Sequence, residues 1–137
     1  IVNVKGFSPR YTAPEVFGKV MTKIANVSVE EEMKGDVYSF AIIVWEMMTR
    51  KIPWAHCKLQ SFFFLFYFFS FLIFLKLKVK DASEIEFQVR SGKREPIPNS
   101  KGDQTLEILS TLIELSWCQN PNERPTFKQI DQKLSTM

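Results

Sequence analysis

Apolar positions along this chain fall at more than one period, and each period predicts an element. From Val37 to Met48 ten of twelve residues are apolar, with Asp36 ahead of them as an N-cap and Pro53-Trp54 behind as the stop. A helix apolar nearly all round belongs in the centre of a fold, buried. Leu106, Leu109, Leu112, Ile113 and Trp117 recur at helical spacing and predict an amphipathic helix packing one face. After the turn Asn120-Pro121-Asn122, Thr126 and Gln129 form a capping box for a last helix striped with Phe127, Ile130 and Leu134. Ser83 and Glu86 form another box, for a helix carrying Ile85 and Val89 and stopped by Gly92. Upstream, Pro14 suits a first helical position and Glu15 its first turn. Lys19 to Lys34 is of mixed polarity, with an acidic run Glu30 to Glu32, and reads as a solvated connection or a short helix face. Arg94 to Pro98 is extended, since each proline turns its predecessor away from helix. No segment predicts a strand, so the expected fold is mainly α.

One stretch fits no amphipathic period. The fourteen residues Phe62 to Leu75 are apolar except for Ser70. As a helix they cover roughly 21 Å, against the roughly 30 Å hydrocarbon core of a bilayer. Extension to Leu59 and Val79 adds Gln60, Ser61, Lys76 and Lys78, and lysines at the end of such a span can snorkel. A core helix would keep a polar side, which this run lacks. Its residues Phe, Leu, Ile, Tyr and Lys can all be written in A/T-rich codons, so a retained intron translated in frame is a third reading beside core helix and membrane-active insertion.

Composition sharpens the contrast. The 137 residues are 45% hydrophobic and 24% charged, the balance of a globular chain of one domain, yet 8 of the 13 phenylalanines lie between Phe62 and Phe74. The net charge of +3 equals Lys76, Lys78 and Lys80 alone, leaving the rest neutral and without a basic field for nucleic acid. Cys57 and Cys118 form no CxxC pair and His56 is the sole histidine, which argues against a zinc site or disulfide framework. Opening at Ile1 without a charged and then apolar leader, the chain is expected to be intracellular, with membrane association through residues 59–79 as the alternative.

Three blocks in order resemble the C-terminal lobe of a eukaryotic protein kinase. Ser8-Pro9-Arg10-Tyr11-Thr12-Ala13-Pro14-Glu15 resembles the end of the activation segment with its Ala-Pro-Glu signature. Asp36-Val37-Tyr38-Ser39-Phe40-Ala41, followed by Trp45-Glu46 and Pro53-Trp54, is similar to the central helix of that lobe. Trp117 to Pro125 resembles the motif before its last helix. Phe7 and Ala41 stand where the family usually has glycine. The resemblance implies the helical C-lobe of the kinase fold without an N-lobe: residues 1–58 as activation-segment end and central helix, 59–80 as a Phe-rich insertion, and 81–137 as the last helices. Joining Lys58 to Asp81 restores the family's short connection.

The resemblance also assigns roles. Ser8, Pro9, Arg10 and Tyr11 would form the floor under the substrate residue after the phosphoacceptor. Glu15 would pair with Arg124, 109 positions away, tying that floor to the base of the lobe. Asp36 would accept hydrogen bonds from the catalytic-loop backbone. The hydroxyl of Ser8, and Tyr11 where tyrosine kinases carry Trp, imply serine/threonine specificity; the Trp45-Glu46 and Trp117-Cys118 contexts resemble the tyrosine-kinase-like group. A complete parent would use ATP and Mg²⁺ on protein substrates. This sequence holds no His-Arg-Asp, Asp-Phe-Gly or GxGxxG, so the chain alone has no catalytic residue, metal site or cofactor site and is expected to be inactive. The alternative is a non-catalytic kinase-lobe binding module, docking partners through the helix from Ser83 to Ser91 or associating with a membrane through 59–79.

Overall fold

Proline sets the first elements. The computed structural model describes residues 8–22, 28–57 and 82–135, and in it Pro9 opens a 3-10 turn, Pro9–Tyr11. Pro14 opens helix α1, Pro14–Thr22, where its missing N–H costs nothing. Glu15 brings a carboxylate to the positive end of that helix.

Helix α2 spans Val29–Thr49 and begins earlier than its apolar run predicts. Ser28 caps it: its Oγ accepts from the Glu31 N–H at 3.2 Å, and Glu31 Oε2 accepts from the Ser28 N–H at 3.1 Å. Asp36 is therefore an exposed residue inside the helix, not its N-cap. The acidic run Glu30 to Glu32 is an exposed helix face and not a connection; it fills the first turn, where the helix dipole favours it. The stop also precedes Pro53-Trp54: Arg50 takes a left-handed conformation at φ 53° and its N–H bonds to Glu46 O at 2.7 Å. A 3-10 turn, Ala55–Cys57, follows.

Helix α3 covers 82–90, so Ser83 lies inside it and cannot be the cap expected of it. Its other end follows the sequence. Gly92, at φ 84°, donates to Val89 O at 3.1 Å and Lys93 donates to Gln88 O at 3.0 Å, the paired bonds of a Schellman motif. Helix α4, Gln104–Ser116, is capped by Asp103, which accepts from the Leu106 N–H at 3.1 Å. Trp117 closes it rather than extending it, through its N–H to Ile113 O at 3.0 Å. A turn at Pro121–Glu123 leads to helix α5, Phe127–Leu134, with the capping box of Thr126 and Gln129 in place. Among the described residues there is no strand.

Two apolar clusters meet on α2. The larger joins Phe17 of α1, Tyr38, Ala41, Ile42 and Trp45 of α2, Trp54 and Cys57 of the turn, Ile85 and Val89 of α3, and Ile113 with Trp117. The smaller joins Val37, Leu112 and Ile130, with Phe40, Ile108 and Leu134 packed against them. Val37 and Tyr38 thus enter different clusters, which makes α2 the element that α1, α3, α4 and α5 share. It is not buried all round, however. Ile43 is 47% and Met47 73% exposed, because no described element covers that side. Gly35 lets α1 approach closely, since a Cβ there would stand 3.4 Å from Val16 Cγ2. The Phe-rich stretch 59–80 lies outside the described residues, among which no helix is long and apolar enough to cross a membrane.

Candidate functional site

Ser8 to Tyr11 form one tight turn ahead of α1. The Tyr11 N–H donates to Ser8 O at 3.1 Å and the Thr12 hydroxyl donates to the same carbonyl at 2.8 Å. Two of the four residues are tied to what lies beneath. The Tyr11 hydroxyl donates to Glu46 Oε2 on α2 at 2.7 Å, and the Ser39 hydroxyl donates to Tyr11 O at 2.8 Å. Arg10 Nη1 donates to Pro53 O, in the turn after α2. The bond to Glu46 raises the Tyr11 pKa, with burial adding to it, so the phenol remains a donor at neutral pH. Ser8 is exposed and its side chain makes no capping bond. The turn is therefore held at Arg10 and Tyr11 and open at Ser8.

Beneath it, Arg124 is 2% exposed and bonded through every N–H it has. Nη1 and Nη2 meet Glu15 Oε1 and Oε2 at 2.7 and 2.8 Å, a bidentate fork. Nη1 also donates to Lys34 O at 2.9 Å, Nε to Cys118 O at 2.9 Å, and Nη2 reaches Gln119 O at 3.5 Å. Lys34 Nζ returns a bond to Arg124 O at 2.6 Å. One side chain thus gathers α1, the first part of α2 and the segment before α5. A buried guanidinium is tolerable on these terms only, because an unpaired donor or charge would cost more than the pair returns.

Tyr38 fills the space beside this fork. The guanidinium carbons of Arg124 and Arg94 each stand 5.2 Å from its ring centroid, within cation–π range. Burial pushes the Tyr38 phenol up to about 12 against the pull of both arginines, so it stays neutral. Arg94 is tied in turn to Trp117 O at 2.8 Å and Gln119 Oε1 at 2.8 Å.

Of the residues singled out in the sequence, Ser8, Pro9, Arg10 and Tyr11 share one turn, and Glu15 and Arg124 meet across the lobe. Asp36 stands apart, exposed on α2, and this sequence supplies no catalytic-loop backbone for it to hold. Glu46, Ser39, Lys34 and Arg94 were not singled out, although all contribute bonds here. Glu46 had a signal in the Trp45-Glu46 pair; the others had none, because their partners lie 23 to 90 positions away. Among the described residues the donor set does not fit Mg²⁺. Glu15 and Glu46 are engaged by Arg124 and Tyr11, and among the described residues no group of three His, Cys, Asp or Glu could hold a metal.

Residues 3–134 match the model of the family described as protein tyrosine and serine/threonine kinase. The chain is 32% identical over 130 residues to serine/threonine-protein kinase 12 of Arabidopsis thaliana, covering 95% of this chain and 21% of that protein. It is 35% identical over 128 residues to dual specificity protein kinase shkC of Dictyostelium discoideum, covering 93% of this chain and 18% of the relative. It is also 32% identical over 108 residues to a receptor-type guanylate cyclase of Caenorhabditis elegans, covering 76% of this chain and 8% of the cyclase. The chain thus spans 21%, 18% and 8% of the length of these relatives.

Proposed function

This chain belongs to the protein tyrosine and serine/threonine kinase family, and from that premise we propose that it is the substrate-side helical lobe of a serine/threonine kinase of the tyrosine-kinase-like group. The complete parent transfers the γ-phosphoryl group of ATP, with Mg²⁺, to Ser or Thr hydroxyls of protein substrates. The observation that carries this reading is the Ser8 to Tyr11 turn, held at Arg10 and Tyr11, anchored to the base through Glu15 and Arg124, and open at Ser8. A rigid floor with one free hydroxyl suits the positioning of a peptide next to its phosphoacceptor. Residues 1–58 and 81–137 make up the lobe and 59–80 interrupt it. Cys57 before the interruption and Ile85 and Val89 after it share one cluster, which supports this division.

The chain alone is not expected to perform the chemistry, since its sequence holds no His-Arg-Asp, Asp-Phe-Gly or GxGxxG motif. Calorimetric titration with MgATP is expected to show no saturable binding, whereas NMR titration with Ser- and Thr-containing peptides is expected to shift the amides of Ser8 to Tyr11. Micromolar, Mg²⁺-dependent nucleotide binding would sink the first expectation. Peptide shifts confined to other surfaces would sink the second.

A second reading is that the lobe serves as a non-catalytic docking module; a protein named for cyclase rather than kinase activity also carries a stretch similar to this chain. The coding sequence upstream of Ile1 separates the two: in-frame His-Arg-Asp and Asp-Phe-Gly belong to the kinase, and their absence to the module.

A further inference from the structure

We propose that Glu95 is a positioning residue for the substrate turn, acting on Arg10 through the single peptide group between Pro53 and Trp54; this rests on the reading of Ser8 to Tyr11 as the substrate floor. Glu95 is 9% exposed, and its Oε1 accepts from the Trp54 N–H at 2.6 Å. His56 Nδ1 lies 3.6 Å from the same oxygen, but its side chain is 63% exposed, so the backbone N–H is the closer and better shielded partner. The carbonyl of that same peptide group, Pro53 O, accepts from Arg10 Nη1.

A trans peptide is planar, and its C=O and N–H point in opposite directions. Glu95 and Arg10 therefore grip the two ends of one rigid unit. The charges at these ends are opposite and correctly ordered. The carboxylate polarises the N–H, which raises electron density on the carbonyl oxygen that the guanidinium meets, and each bond strengthens the other. The backbone carrying Glu95 is itself fixed on both sides, by Arg94 Nε to Trp117 O at 2.8 Å and by Trp45 Nε1 to Pro96 O at 3.0 Å. Trp54 is left-handed at φ 57°, a costly conformation for a bulky residue that persists only where its surroundings dictate it. Here these are the bond to Glu95 and a ring that is 1% exposed. The strained residue keeps the peptide group aimed at Arg10.

Hydrogen exchange of the full 137-residue chain, read by mass spectrometry, tests this. Glu95→Gln keeps the size and an acceptor but removes the charge, and is expected to speed exchange of the Tyr11 and Thr12 amides about tenfold while α4 and α5 stay protected. Arg10→Met is expected to do the same, and the double variant to do no more than either alone. Acceleration confined to 50–57 and 93–98, or additive effects in the double variant, would overturn the proposal. Should Glu95→Gln loosen the whole lobe, Arg10→Met decides from the other end: protection of the Trp54 amide must fall, and an unchanged Trp54 overturns the coupling. Failure of peptides to bind at Ser8 to Tyr11 would instead count against the substrate reading, and would leave these exchange rates untouched.

Discussion

Arg124 shows what a charge needs in order to sit in a protein interior: five donors, five acceptors and a carboxylate fork. Arg124→Met leaves Glu15 and three nearby carbonyls without their partner, and is expected to cost about 3–5 kcal/mol in urea unfolding. Glu15→Leu combined with Arg124→Met is expected to cost clearly less than the two single changes summed, since each single variant strands the other's charge. Strict additivity would mean that the fork contributes nothing as a pair. Nothing local in the sequence marks this pair, because its members stand 109 positions apart; only the resemblance of the flanking motifs brought them together. The bonds of Tyr11 to Glu46 and of Ser39 to Tyr11 O were not legible for the same reason, being tertiary in origin.

Elements were legible where their signal was local. Pro14 at a helix start, Gly92 past a helix end and the Thr126 to Gln129 box all stand where the sequence put them, since each acts within one turn of backbone. The start of α2 is not where the apolar run puts it because its true signal, Ser28 with Glu31, is separated from that run by the mixed residues Glu32 to Asp36, and Asp36 sits at that second boundary. Ser28→Ala is expected to cost about 1 kcal/mol as a lost cap. Asp36→Ala, an exposed change inside a helix, is expected to stay within about 0.5 kcal/mol. Urea unfolding followed by circular dichroism checks both, and a reversal of that order would return the helix start to Asp36. Exposure of Ile43 and Met47 was illegible too, because an apolar pattern records what a helix can bury and not what is present to cover it.

At the scale of the whole molecule, described residues on both sides of the stretch 59–80 share one cluster, Cys57 before it with Ile85 and Val89 after it. Loop closure grows slowly with length, so 22 residues that interrupt the lobe as proposed would cost only about 1–2 kcal/mol. A variant lacking 59–80 is expected to keep its helical circular dichroism and to unfold at an equal or higher urea midpoint. Loss of cooperative unfolding would make the Phe-rich stretch part of the core after all. The placement of Arg124 also sets a clock. Synthesis at about 5–20 residues per second separates Glu15 from its partner by roughly 5–20 s. Through that interval the substrate turn has its local bonds but no lock, and a segment translated 109 residues later is the one that fastens it.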